Sequence, residues 1–359
     1  MSAWDDYPED YRANQVQHIL AAVRAGESAA VIGLSGSGKS NLLGYLAHRW
    51  GDAGDRPRLA LVDCNRLADV SAEGIFRLVR SALGEQSAAG DEYSALEAVL
   101  GRWLREAAPL GLLLDRFDAL AELPAQSIYS NLRALRDAHK YELTYIIATR
   151  RPLDPHNELA ELFFAHTLWL GPLSENDTAW NVTRYARRSG LNWDMDVTRQ
   201  IGRLSGGYPA LLRAVCEAHA AGCPLSLPEL SQHPAVQRRL DEFWADQPDA
   251  ATLRLCGLSD NPLVNASRLP AQVDTAGLTA KEHALWEYLQ AHPNQVCEKD
   301  DLIRAVWPED RIFERGVRDD SLAQLVRRLR EKIETDPSNP RHIQTVAGRG
   351  YRFLEKKAS

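Results

Sequence analysis

A glycine-rich loop between an apolar run and an amphipathic run places the strongest constraint on how this chain folds. Residues 29–32, AAVI, are typical of a buried strand, and residues 41–46, NLLGYL, have helical apolar spacing. Between them lies GLSGSGKS, residues 33–40, which satisfies the pattern G-x-x-x-x-G-K-S. The order strand, loop, helix predicts a phosphate-binding loop, and a chance glycine-serine turn is the disfavoured alternative.

The residues of this loop have distinct predicted roles. Glycines let backbone N–H groups face phosphate oxygens, and the following helix N-terminus adds partial positive charge. Lys39 is predicted to reach the β- and γ-phosphates and the Ser40 hydroxyl to bind Mg²⁺. We therefore predict ATP or ADP with Mg²⁺ as cofactors. The predicted nucleotide-binding residues here are Gly33, Ser35, Gly36, Ser37, Gly38, Lys39, Ser40 and Asn41.

A second apolar run ends in the acid that such a site needs. In LGLLLDRFDAL, residues 110–120, Asp115 ends the strand and is predicted to hold Mg²⁺ together with Ser40. Many P-loop ATPases place a water-orienting glutamate directly after this aspartate, but this chain has Arg116. Asp118 is the nearby acid that could take that role, and a helix N-cap is its alternative. We expect ATP hydrolysis to be slow, if it occurs.

Further strands extend the same pattern. They are predicted within 58–65, 142–151 and 165–180, the last followed by Ser174 as a helix N-cap. Thr149 and Arg150 end the second of these and are predicted to sense the γ-phosphate and stabilise its charge. Strands alternating with helices predict an α/β fold with a parallel sheet and right-handed crossovers.

These motifs resemble the AAA+/STAND class of P-loop ATPases over residues ~10–220, with DRFDAL and IIATR as the second-acid and sensor motifs. RLSGGYPALLRAV, residues 203–215, is similar to the glycine-x-proline motif of the helical lid in that class. The resemblance implies that Pro209 packs by the adenine and couples nucleotide state to lid position. The alternative for Pro209 is a plain first helical residue after a glycine-rich turn.

The C-terminal part has a different pattern. Thr279 and Glu282 predict a capping box, KDDLIRAVW a second helix, and Asp319–Ser321 the start of a third. HIQTVAGRGYRFL predicts a hairpin. The segment resembles the winged helix-turn-helix domain of OmpR-type response regulators over about 78 residues, through LT-x-x-E, VW and RRLREKIE-x-DPSNPRHIQTVAGRGYRF.

That resemblance implies double-stranded DNA as a partner, with the third helix in the major groove and the wing at the minor groove. Arg330 is expected to form a structural ion pair with an acid. Arg318-Asp319-Asp320 departs from the family at the start of the third helix, so no target sequence transfers. A winged helix used only for protein contact is the alternative. The predicted DNA contacts are Gln324, Arg327, Arg328, Arg349, Tyr351 and Arg352.

The composition of the chain argues against some classes of protein and favours others. No apolar run approaches the ~20 residues of a membrane span, and the acidic N-terminus is unlike a signal peptide. Five cysteines without a C-x-x-C pair favour free thiols and a cytoplasmic location. Net charge is −7, yet residues 311–359 hold twelve Lys or Arg against seven Asp or Glu, a net of +5. This favours a polyanion contact or a solvated charged face equally.

The predicted organisation is a P-loop NTPase domain over 1–172, a helical lid over 173–235, a linker over 236–276 and a small α+β winged helix over 277–356. The predicted function is an ATP-dependent switch of DNA binding, most simply a transcription regulator, with homo-oligomers forming on ATP binding. The alternatives are a DNA-loading or initiator ATPase, a defence-type signalling ATPase, and a turnover ATPase without a DNA role.

Overall fold

The computed structural model divides the chain into two compact units, residues 1–263 and 264–359, which are described separately. The structure describes 4–51, 57–67, 71–85, 91–104, 109–121, 126–268, 278–292, 295–307, 315–334, 337, 340, 342–346 and 348–354.

The first unit is built on a five-stranded parallel sheet with the strand order β2-β3-β4-β1-β5. Every residue of β1, β3 and β4 is buried, as expected for a parallel sheet covered on both faces. The strands are β1 (Ala29–Ile32), β2 (Arg58–Asp63), β3 (Leu110–Asp115), β4 (Leu143–Thr149) and β5 (Thr167–Trp169).

Helices connect these strands, and further helices follow β5. Two short 3₁₀ helices, Cys64–Arg66 and Ala160–Phe163, accompany them. The segment 173–246 is called the lid; it contains the predicted lid region, 173–235, and the residues up to the end of the next helix. The helices that begin in this unit are α1 (Ala13–Arg24), α2 (Lys39–Trp50), α3 (Ala72–Ala82), α4 (Glu92–Leu104), α5 (Asp118–Ala121), α6 (Gln126–Ala138), α7 (Glu175–Arg188), α8 (Met195–Ser205), α9 (Pro209–Ala220), α10 (Leu227–Gln232), α11 (Pro234–Ala245), α12 (Ala250–Leu255) and α13 (Pro262–Arg268).

A capping serine, two glycines and a proline determine where the first lid helices begin and end. The Ser174 hydroxyl accepts the Asp177 backbone N–H at 3.1 Å, so the predicted N-cap of α7 is confirmed. Helix α8 ends at Gly206 and is followed by Gly207, both left-handed with φ of 59° and 68°. Pro209 then opens α9 at a position where its missing N–H leaves no bond unmade.

The second unit combines α14 (Ala280–Ala291), α15 (Lys299–Val306) and α16 (Arg315–Ile333) with an antiparallel sheet in the order β6-β8-β7. The strands are β6 (Val296–Glu298), β7 (Ile343–Val346) and β8 (Gly350–Phe353). The capping box of α14 is confirmed, because the Glu282 carboxylate accepts the Thr279 N–H at 2.8 Å. Leu285, Leu322 and Leu329 lie in one buried core.

Three boundaries differ from the sequence-based expectations. The amphipathic pattern of residues 233–247 predicts a helix, and α11 lies there; the rest of the predicted linker is helical in α12 and α13, and Leu240, Phe243 and Leu253 are buried. Residues 269–277 of that linker lie outside the described residues. Helix α16 begins at Arg315, earlier than predicted, and strand β6 had no predicted counterpart.

Candidate functional site

The loop between β1 and α2 has a backbone that only glycine adopts without strain. Gly36 and Gly38 are left-handed, with φ of 86° and 90°. A Cβ on Gly36 would lie 2.4 Å from the Ala210 Cβ, and one on Gly33 would lie 2.6 Å from the Ser37 Oγ. Gly36 is therefore required by both conformation and space, Gly38 by conformation and Gly33 by space.

Ser40 and Asp115 meet as predicted. The Ser40 hydroxyl donates to the Asp115 Oδ1 at 3.0 Å, across the ends of α2 and β3. Burial raises the pKa of Asp115, while the Ser40 hydrogen bond and Arg116 oppose that rise. Two oxygens held together in this way suit Mg²⁺, which takes one or two protein oxygens and completes its shell with phosphates and water. Among the described residues, no cluster of three or more His, Cys, Asp or Glu forms an alternative metal cage.

Lys39 lies inside the loop, where its ammonium group donates to the carbonyl oxygens of Gly33 and Leu34. Desolvation lowers the pKa of Lys39, and the carboxylates of Asp118, Asp246 and Asp115 oppose this in that order. One half-buried cation near three carboxylates creates a strong local field, and an arriving phosphate would add further negative charge.

Asp118, three residues after the end of β3, binds Arg150, the residue after the end of β4. The Asp118 Oδ1 accepts the Arg150 backbone N–H at 2.8 Å, and its Oδ2 lies 3.6 Å from the Arg150 Nε. Asp118 is the first residue of α5, and its carboxylate joins the ends of β3 and β4. Arg116, at the usual place of a water-orienting glutamate, has a left-handed φ of 55° and a half-exposed side chain.

Two buried hydroxyls at the loop lack a hydrogen-bond partner within the described part of the chain. They belong to Thr149 at the end of β4, which is 1% exposed, and to Ser37 in the loop, which is fully buried. An unpaired buried hydroxyl carries a desolvation penalty of about 1–3 kcal/mol. A bound anion would relieve it, so the donors present fit a nucleotide phosphate chain with Mg²⁺.

The lid lies directly against the loop through the glycine-x-proline region. The Ala210 N–H donates to the Gly36 carbonyl at 3.1 Å, and the Tyr208 hydroxyl donates to the Ser35 carbonyl at 2.7 Å. A Cβ on Gly38 would lie 3.5 Å from the Pro209 Cγ. Pro209 therefore lies beside the loop at Gly38.

A second lid residue, Asp246, was not singled out by the sequence. It follows the last residue of α11, its side chain is 2% exposed, and its Oδ2 accepts the Ser35 backbone N–H at 2.5 Å. Its Oδ1 lies 3.5 Å from the Arg150 Nη1, and its backbone carbonyl accepts from Arg151 at 2.7 Å. No motif marks this aspartate, because it lies near the end of a predicted amphipathic helix that carries no recognisable site pattern.

The segment before α1 closes the other side of the site. Asn41 accepts from the Tyr7 hydroxyl and donates to the Tyr11 hydroxyl, each at 3.0 Å. Arg12 is 2% exposed and donates to the Ser37 carbonyl at 3.0 Å, while its backbone N–H donates to Asp177 of the lid at 3.2 Å. The Asn41 side chain thus anchors this segment, a role that the motif alone did not indicate.

On the second unit, three of the predicted DNA-contact residues share the solvent-exposed face of α16. Gln324, Arg327 and Arg328 are all exposed. Arg327 pairs with Glu331 one turn later at 3.0 Å, an exposed pair that contributes less than about 1 kcal/mol. This face is therefore cationic and accessible.

The hairpin residues divide between surface and core. Arg349 is 62% exposed and lies 3.6 Å from Glu298, and Arg352 donates to Gln344 at 3.0 Å. Tyr351 is only 8% exposed and packs in the core, so a side-chain contact with DNA is not the role that its position favours.

Arg330 holds the hairpin to the helix, and among the described residues its hydrogen-bond partners are a carbonyl and a hydroxyl, without the expected ion pair to an acid. Its Nε and Nη2 donate to the Ile343 carbonyl at 3.0 and 2.6 Å, and its Nη2 also donates to the Thr345 hydroxyl at 2.9 Å. Desolvation lowers the pKa of Arg330. A carbonyl oxygen at the start of β7 therefore takes the place of the expected carboxylate.

Two known families match the chain, and together they cover both units. The family described as Novel STAND NTPase 1 matches residues 11–255, well over half of the chain. The chain belongs to this STAND family. The family described as Transcriptional regulatory protein, C terminal, matches residues 274–353. The chain thus joins a P-loop NTPase of the STAND class to an OmpR-type winged helix, as the motifs predicted.

Curated relatives resemble part of the chain. A probable transcriptional regulatory protein of Picosynechococcus is 32% identical over 130 residues, which are 36% of this chain and 49% of the relative. A transcriptional regulatory protein of Bacillus subtilis is 43% identical over 70 residues, 20% of this chain and 28% of that one. The chain spans about half or less of the length of these relatives.

Solved structures of similar shape include a Walker-type ATPase of Pyrococcus abyssi and Cdc6p of Pyrobaculum aerophilum. The first is 15% identical with a TM-score of 0.46, covering 98% of this chain and 97% of that chain. The second is 16% identical with a TM-score of 0.45, covering 98% and 92%. We draw no functional conclusion from likeness at this level. None of the helices in the described ranges has the length and apolarity to cross a bilayer.

Proposed function

We propose that this protein is an ATP-dependent switch, in which the nucleotide state of the P-loop unit controls DNA binding by the winged helix, and that it regulates transcription. The direct contact between lid and loop carries the proposal. Because Tyr208 and Ala210 bind the carbonyls of Ser35 and Gly36, any change in the loop is transmitted to α9. A nucleotide that favours one lid position shifts the population toward it.

On this proposal, Lys39 and the loop N–H groups hold the phosphates, while Ser40 and Asp115 hold Mg²⁺, which neutralises phosphate charge when bound. Thr149 and Arg150 lie at the end of β4, and on this proposal they sense the terminal phosphate. A cavity of about 310 Å³ lined by Pro209, α7 and α9 residues is open for the adenine. Its position beside Pro209 supports the role that the family resemblance implied.

Slow hydrolysis remains part of the proposal. Arg116 provides no carboxylate to orient water, and Asp118 is engaged by both the backbone and the side chain of Arg150. The chain therefore has no free acid at either predicted position among the described residues. A steady-state turnover of tens per second would contradict this and would make the protein an ordinary ATPase.

The proposed DNA contact uses Gln324, Arg327 and Arg328 on α16, with Arg349 and Arg352 on the hairpin. Their exposure and positive charge support phosphate and base-edge contacts. A single small reading domain binds weakly, so assembly of two or more copies on ATP binding is part of the proposal.

The test is DNA binding by the full-length protein, with and without ATP and Mg²⁺, measured by fluorescence anisotropy at fixed salt. Lys39→Ala should remove any difference between the two conditions. Arg327→Ala with Arg328→Ala should weaken binding by about tenfold or more, with a smaller salt dependence. Arg304→Ala, an exposed arginine on α15, is the control and should bind as the wild type does.

DNA affinity that is the same with ATP, with ADP and with no nucleotide would refute the switch. Normal binding by the Arg327/Arg328 double variant would refute α16 as the reading helix. Sedimentation of the same samples tests assembly. A protein that stays monomeric with ATP would refute assembly as part of the proposal.

A further inference from the structure

Both backbone polar groups of one loop residue, Ser35, are bound by side chains of the lid. The Ser35 N–H donates to the Asp246 carboxylate, and the Ser35 carbonyl accepts from the Tyr208 hydroxyl. The two lid residues are themselves linked, because the Tyr208 ring packs edge-on against Phe243 of α11 with centroids 5.7 Å apart. The residue before α9 and the residue after α11 therefore hold the loop together.

The Asp246 carboxylate stands at the terminal-phosphate end of the site and not at the adenine end. It lies beside Arg150 and faces Lys39, the two cations predicted to meet the γ-phosphate. Pro209 and the cavity proposed for adenine lie by Gly38, on the other side of the loop. The Asp246 carboxylate already accepts the Ser35 N–H, which would otherwise be available to a phosphate oxygen.

The Asp246 carboxylate is held by contacts within the folded chain. The Asp246 side chain is 2% exposed, and it is bound by a backbone N–H and a guanidinium and is attracted by the half-buried Lys39. A carboxylate and a phosphate oxygen compete for the same N–H, and two anions close together in a partly buried site repel each other.

We propose that Asp246 is an internal competitor of the γ-phosphate, so that the closed lid accepts a nucleoside diphosphate but must release Asp246 to accept a triphosphate. The loop then distinguishes ATP from ADP through a residue of the lid and not only through the strand ends. The inference rests on nucleotide binding as proposed above, and it adds the residue that links γ-phosphate recognition to lid opening.

The decisive variant is Asp246→Asn, which removes the charge but keeps an oxygen for the Ser35 N–H. Affinities for ADP and for the non-hydrolysable analogue AMP-PNP, both with Mg²⁺, are measured on the full chain by calorimetric titration. We expect the Kd of AMP-PNP to fall by about tenfold, because one like charge is removed, and the Kd of ADP to change less than about twofold. Asp260→Asn, an exposed aspartate in the same unit, is the matched control and should change neither Kd.

Hydrogen exchange gives a readout that does not depend on affinity. In the wild type, AMP-PNP should speed exchange of the amides around residues 243–252 and ADP should not, since only the triphosphate displaces Asp246. In Asp246→Asn this difference should disappear. The thermal midpoint of each variant is measured first, to show that the fold is retained.

Equal gains for ADP and AMP-PNP, no gain for either, or the absence of binding by both proteins would overturn the proposal. These outcomes are separate from those of the DNA experiment. Selective tightening of AMP-PNP with nucleotide-independent DNA binding would support the role of Asp246 and refute the switch.

Discussion

Arg330 distinguishes structural from DNA-contacting arginines on a single helix, and Arg330→Lys tests that distinction. The guanidinium makes three N–H···O contacts with Ile343 and Thr345 and lies 5.8 Å from the centre of the Tyr351 ring. A lysine keeps the charge but cannot reproduce the planar fork. The substitution therefore removes the geometry of the site without changing the net charge of the helix.

The expected loss follows from these contacts. Hydrogen bonds to charged groups contribute about 1.5–3 kcal/mol when buried, and the half-buried position of Arg330 places the loss at about 1–2 kcal/mol. When exchange follows the local opening equilibrium, that free energy corresponds to about 5–30-fold faster exchange of the amides in β7 and β8.

The assay is hydrogen exchange with mass spectrometry on peptides covering 342–354 of the full-length protein. Arg328→Lys is the control, because Arg328 is exposed on the same helix and its exchange rates should stay within about twofold of wild type. Unchanged protection in Arg330→Lys, or equal effects of both variants, would show that Arg330 does not hold the hairpin.

Three further predictions concern single contacts. Tyr208→Phe should destabilise the first unit by about 1 kcal/mol in denaturant unfolding, since it removes the hydroxyl donor to the partly buried Ser35 carbonyl. Desolvation would raise the pKa of Glu282, but hydrogen bonds from Lys332 and Thr279 lower it below its ordinary 4.5. The stabilising contribution of this carboxylate should therefore be present above that pH and lost on acidification through the lowered pKa, so melting points of wild type and Glu282→Gln should converge there. Iodoacetamide with peptide mapping should label Cys223 first, because the other four thiols are buried.

Much of the fold was predictable because local sequence rules agree with the tertiary structure. Strand β1 has its predicted bounds, and β3 ends at Asp115 as predicted. The caps at Ser174 and Thr279 involve contacts within three residues, which a sequence displays directly. The core of the phosphate loop is equally local, since one motif supplies its glycines, lysine and serine.

What the sequence did not reveal depends on distant partners. Asp246 reaches Ser35 across 211 positions, and a lone aspartate after a helix has no pattern that names such a partner. The three-residue strand β6 forms only because β8 lies beside it. The partner of Arg330 was misjudged for the same reason, because a sequence lists carboxylates but does not show which backbone carbonyls a fold brings within reach.

The strand order also has a consequence for synthesis of the chain. Strand β1 pairs only with β4 and β5, so it has no partner until about 110 further residues have been added. At about 5–20 residues per second, the ribosome needs on the order of 6–20 s to supply them. During that time an entirely apolar strand must be sheltered, and nascent chains stalled before residue 143 should be unusually dependent on chaperones.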